Sequence, residues 1–175
     1  MDYRTRNIIN KLADEIIESY KITAPIDDLE SFVESIGGKV TENNLKSGFY
    51  DGRITTQNTD YEFEIFIPEN QYLERKKFTI AHELGHLFLH MGYQIDDDLW
   101  EEQRGRDYYR NGSSEEELQA NEFAAALLMP RDEYKKIMEK YTDGVSVNTA
   151  EIARYFGVSI QAAANRGKWL GYLAW

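Results

Sequence analysis

"FTIAHELGHLFLH", residues 78–90, contains every histidine of this 175-residue chain: His82, His86 and His90. Phe78, Ala81, Leu84, Leu87, Phe88 and Met91 recur at helical spacing around them. The segment from about Leu73 to Met91 is therefore predicted to be one broadly apolar helix, central and largely buried. On that helix His82 and His86 stand one turn apart, about 6 Å along the axis, so both imidazoles can reach a single ion. Glu83 projects at a different angle, where a carboxylate serves as a general base towards water rather than as a ligand. The competing reading is two histidines on a polar helix face, but the stretch is apolar, and imidazoles in a core need partners.

His90 is a rival ligand. It lies eight residues beyond His82, about 12 Å along a straight helix, so an ion bonded at about 2 Å cannot hold all three histidines. His90 is read as a residue behind the ligands, or one that packs. The third ligand must come from elsewhere, and "EEELQANEFAAALLMP", residues 115–130, offers Glu115, Glu116, Glu117 and Glu122. Glu117 and Asn121 share a face, next to Ala120 and Ala124, whose small side chains permit close packing on the histidine helix. That makes Glu117 the ligand and Asn121 the residue that orients a histidine. Glu117 has a second possible use, a capping box with Ser114, although Ser113 with Glu116 fills that role equally well.

Composition narrows the chemistry further. With no cysteine, disulfides, thiolate metal sites and cysteine nucleophiles are excluded, so His, Asp and Glu must hold any transition metal. Imidazole and carboxylate donors predict one Zn2+ per chain, with manganese and iron as the alternatives. The net charge of -11 argues against broad attraction to nucleic acid. It is uneven: from Arg131 onward seven basic residues face five acidic, a balance of +2, which leaves -13 on residues 1–130. The opening "MDYRTRNIINKLADEIIESY" has no unbroken apolar core, and no later run approaches bilayer length. A cytoplasmic protein without a membrane partner is expected.

Outward from the histidine helix, Ile8, Ile9, Leu12, Ile16 and Ile17 mark an amphipathic helix over roughly 3–20. "TAPIDDLESFVESIGG" (23–38) predicts a short helix with Leu29, Phe32, Val33 and Ile36 inward. "KVTEN" (39–43), "SGFYDGRITT" (47–56) and "YEFEIFIP" (61–68) predict a small sheet, with Tyr61, Phe63, Ile65 and Ile67 alternating inward. Residues 92–114 show no clean period and are expected to be a long loop, a candidate lid around Asp96 to Asp98. Its Tyr93, Tyr108 and Tyr109 are candidate oxyanion donors, or else pack the loop down.

Three helices are predicted beyond Pro130, giving two regions, 1–130 and 131–175. Within "TAEIARYFGVSIQAAANRGKW" (149–169) the spacing around Gly157 matches a helix-turn-helix, and Gln161, Asn165, Arg166 and Lys168 are placed to face a DNA groove. The stronger reading packs these helices on the rest of the chain, with Trp169, Leu170 and Leu173 as anchors.

"RKKFTIAHELGHLFLH" followed by "ELQANEFAAALLMP" resembles the ImmA/IrrE family of metallopeptidases. The resemblance spans approximately residues 25–171, including "RYFGVSIQAAANRGKWLG", which looks like the helix-turn-helix-like end of such proteins; residues 92–112 match nothing in it. It implies an α+β, zincin-like fold of the gluzincin type, with a small sheet packed on the HExxH helix, His82, His86 and Glu117 as ligands and Glu83 as catalytic base. It also implies a zinc endopeptidase that cleaves a helix-turn-helix repressor of a phage, mobile element or stress regulon. The alternative is a non-hydrolytic, zinc-stabilised regulator that binds DNA or a partner protein.

Overall fold

A computed structural model of the chain describes residues 1–43, 52–105 and 114–174. In chain order the described elements are α1 (Tyr3–Ser19), α2 (Leu29–Ser35), β1 (Gly38–Asn43), β2 (Arg53–Thr55), β3 (Phe63–Pro68), α3 (Leu73–Leu89), α4 (Asp97–Gln103), α5 (Ser114–Leu128), α6 (Arg131–Lys140), α7 (Thr149–Phe156) and α8 (Ile160–Trp169). The architecture is mixed α and β.

Local chemistry starts several of these elements. The Asp2 side chain accepts the Thr5 amide at the head of α1, and Asp28 accepts the Ser31 amide at the head of α2, each satisfying a donor that a helix N-terminus leaves open. The sheet has the order β1-β3-β2, with β1 parallel and β2 antiparallel to β3. Phe63, Ile65 and Ile67 of β3 are wholly buried and alternate with half-buried positions, the signature of a strand with one face on the core. Tyr61 does not join that row. It lies in a bend ahead of the strand, 49% exposed, because pairing with β1 begins only at Phe63.

The histidine helix α3 is the centre of the molecule. Ten of its seventeen residues are buried, among them the polar Lys77, Thr79, Glu83 and His86, so sheet and helices cover it on several sides. Helix α5 lies against it at close range: a Cβ added at Gly85 would stand 2.9 Å from Cα and 3.0 Å from the carbonyl oxygen of Ala120. Only hydrogen fits there.

Residues 92–103 are more ordered than a long loop. Asp96 accepts the amide of Leu99 and caps α4, with Asp97 and Asp98 in the favourable first turn. Trp100 from this helix is buried edge-on against Tyr93. Tyr108, Tyr109 and Ser113 lie outside the described residues, as does the segment 47–51 of the expected second strand.

The last three helices pack on the rest through a buried ion network. Arg166 is 3% exposed; it donates to the Met129 carbonyl at 3.0 Å, to Asn10 at 2.8 Å and to Glu122 at 3.2 Å. Glu122 in turn accepts from Arg6 at 3.0 Å and Asn10 at 2.7 Å. Burial lowers the Arg166 pKa from 12.5 to about 10, with Glu122 opposing the shift; the guanidinium therefore stays charged at neutral pH. Arg166 is thus withdrawn from the surface that a DNA-facing role requires, because α1 and α5 claim it. Trp169, expected as an anchor, is 46% exposed and lies under the Arg6 guanidinium at 3.5 Å, whereas Leu170 is buried. The buried Tyr134 hydroxyl of α6 donates to the Ala163 carbonyl of α8 at 2.7 Å, and burial pushes its pKa to about 12.

In an open helix a Gly→Ala change gains up to about 1 kcal/mol. Gly85→Ala is expected to do the reverse and cost about 1–3 kcal/mol by overpacking, measured as a lower urea midpoint at unchanged slope. A midpoint at or above wild type would show that the two helices part without loss.

Candidate metal centre

The close crossing of α3 and α5 brings three side chains to one point. His82 and His86 turn their Nε2 atoms towards each other at 3.1 Å, and Glu117 sets Oε2 at 3.2 Å from the first and Oε1 at 3.4 Å from the second. One donor atom from each lies within 4.8 Å of the others. A tetrahedral ion that holds nitrogen and oxygen at about 2 Å spaces its ligands by about 3.3 Å. The triangle has that size.

Hydrogen bonding around the two rings favours one tautomer of each. His82 Nδ1 lies 3.1 Å from Asn121 Oδ1, an acceptor, so this nitrogen holds the proton and Nε2 is bare. His86 Nδ1 lies 3.0 Å from His90 Nδ1, and His90 Nε2 lies 3.0 Å from Gln119 Oε1. Gln119 requires a proton on His90 Nε2, which leaves His90 Nδ1 to accept one from His86 and strips His86 Nε2. Two lone pairs and a carboxylate then converge. Three acceptors at this spacing repel one another unless a cation lies among them, so the donor set fits a divalent metal ion.

Glu83 follows His82 in the chain and is completely buried. Gly52, just ahead of β2, closes over it: an added Cβ would stand 2.7 Å from Glu83 Oε1 and 2.7 Å from Thr79 Cγ2. In the sequence Gly52 falls inside the stretch 47–56 read as part of the sheet, and nothing in its spacing signals contact with a carboxylate thirty-one positions on.

The other candidates are distributed as follows. Glu115 pairs with the backbone amine of Met1 at 3.1 Å, and Glu122 belongs to the ion network. His90 caps the C-terminus of α3 with its backbone while its ring bridges His86 and Gln119. Tyr93 is buried and donates to the Ile36 carbonyl, and burial raises its pKa. That hydroxyl is engaged in packing the sheet-helix junction, not offered to a substrate.

A cleft of about 780 Å³ opens beside the centre between the start of α3, α5 and α8. Phe78, Leu118, Ile160 and Trp169 give it an apolar lining, and Arg75 and Asn121 add polar groups. Its volume lies in the range of ligand clefts. Asn121 is common to the cleft and to the His82 contact.

The sequence model of the peptidase family Peptidase M78, described as the IrrE N-terminal-like domain, matches residues 33–168. No curated protein matches the chain. Among solved structures it is similar to a Mycobacterium tuberculosis transcriptional regulator, at 16% identity and a TM-score of 0.61, over 94% of this chain and 48% of that one. The chain thus spans about half the length of that protein, and the likeness is one of fold.

Titration of metal-free protein with Zn2+ is expected to saturate at one ion per chain. At a free concentration about a thousand times Kd it adds roughly 4 kcal/mol of stability, or about 8–16 °C in Tm for a chain of this size. His86→Ala should abolish the gain. An equal gain in that variant would place the ion elsewhere.

Proposed function

The chain belongs to the IrrE N-terminal-like peptidase family, and on that premise we propose that it is a zinc-dependent endopeptidase whose substrate is a helix-turn-helix transcriptional repressor. The observation that carries the reading is the convergence of three acceptor atoms, on His82, His86 and Glu117, beside a buried Glu83. His82, His86 and Glu117 hold the ion in this reading. Zinc, when bound, supplies electrophilic polarisation of a peptide carbonyl and a more acidic water.

Glu83 takes a proton from the attacking water as its oxygen bonds to the carbonyl carbon, then gives that proton to the nitrogen as the C–N bond breaks. Asn121 keeps His82 Nε2 directed inward. The apolar cleft beside Asn121 receives the substrate chain next to the cleaved bond.

A repressor as substrate is what the family resemblance implies, and a fold neighbour titled a transcriptional regulator accords with that setting. Residues 1–130 serve as the zincin-like peptidase part in this reading, and 131–175 as a helix-turn-helix-like region that holds the substrate or packs the fold. Direct DNA binding is the weaker use of that region, since Arg166 is buried. Among the described residues no helix is long and apolar enough to cross a membrane, which suits action on a repressor in the cytoplasm.

The test is intact-mass analysis of the helix-turn-helix repressor encoded nearest to this gene after incubation with the zinc-loaded chain. Wild type is expected to make one cut, and Glu83→Gln, with zinc still bound, to be slower by at least about 100-fold. Gly52→Ala, which crowds Glu83 without touching the three ligands, is expected to keep its zinc and lose about 100-fold as well. A zinc-loaded wild type that binds the repressor and never cuts it would favour a non-hydrolytic regulator.

A further inference from the structure

We infer that Gln119 is a positioning residue for the metal centre, acting on His86 through His90. The inference rests on the reading of His86 as a ligand and deepens it. Gln119 Oε1, His90 and His86 form a continuous hydrogen-bonded chain with links of 3.0 Å and 3.0 Å. It starts on α5 and ends on α3, the same two helices that supply Glu117 and the histidines.

Proton accounting gives the chain a direction. An amide oxygen only accepts, so Gln119 fixes the proton of neutral His90 on Nε2. His90 Nδ1 is then an acceptor, and the proton on His86 must be on Nδ1. The consequence appears at the far side of the His86 ring, where Nε2 presents a lone pair to the site.

Free histidine in water favours the opposite tautomer, with the proton on Nε2, and that form would block ligation. His86 is wholly buried and its Nδ1 meets His90 Nδ1 at 3.0 Å, so the correction comes through His90. A packing role for His90 needs neither of the two nitrogen contacts. Loss of such a supporting partner typically weakens metal binding by about 10–100-fold.

The full chain holds three histidines, so long-range 1H–15N correlation of the uniformly labelled, metal-free protein at about pH 8 reads each ring. His82 and His86 are expected as Nδ1–H forms and His90 as Nε2–H. Gln119→Leu, which removes the acceptor, should move His86 towards Nε2–H and weaken Zn2+ binding by at least about tenfold in chelator competition. Gln119→Glu, which keeps an acceptor oxygen, should restore both.

His86 protonated on Nε2 in wild type would overturn the inference. So would a Gln119→Leu protein with unchanged tautomers and affinity, or equal losses in the Leu and Glu variants. A chain that shows the expected tautomers yet binds no Zn2+ would sink the peptidase reading and leave the relay standing.

Discussion

Because Gly85 lets α3 lie against the backbone of α5 at Ala120, Glu117 comes within 3.4 Å of two imidazoles that belong to a different helix. The carboxylate corner of the centre depends on that spacing. A methyl group at position 85 would press on the Ala120 backbone and force the two helices to shift, which acts directly on the distance between the carboxylate and the imidazoles. Asn121 and Gln119 also act from α5 upon α3. One crossing thus sets both the ligand triangle and the hydrogen bonds that orient it.

The arrangement keeps two opposing demands in one small volume. Ligand atoms must be bare and turned inward, which is electrostatically unfavourable without a cation, and the histidines must still have partners for their outer nitrogens. The first demand is met by Nε2, Nε2 and a carboxylate, the second by Asn121 and the His90–Gln119 pair. Glu83 sits under the same cover, with Gly52 pressed against it. The family match and a donor set that could hold a metal accord with the peptidase proposed above.

Much of this was legible in the sequence for a simple reason: α3 carries its ligands at one-turn spacing and its apolar residues at helical spacing, so a single periodicity displays both. Glu117 and Asn121 were legible because they are one turn apart beside small residues. Gln119 was not. Two positions beyond Glu117 it is rotated by about 200° on the helix, and only a long side chain meeting His90 past the end of α3 brings it into play. Gly52 makes contact across the fold, which no local pattern reports. Helix α4 was hidden by its acids: Asp96, Asp97 and Asp98 read as breakers, whereas Asp96 is a cap and the next two complement the helix dipole. Arg166 has the phase of a DNA-facing residue on α8, and only the three-dimensional position of Glu122 turns it inward.

That Arg166 network has a consequence for how the molecule assembles. Arg166 meets Asn10 across 156 residues and Glu122 across 44, so it closes some of the longest loops in the chain, and such contacts form only after the loop entropy has been met. Glu122 lies on the same helix as Glu117, little more than one turn away. Docking of α8 through Arg166 therefore braces α5, the helix that also carries Glu117.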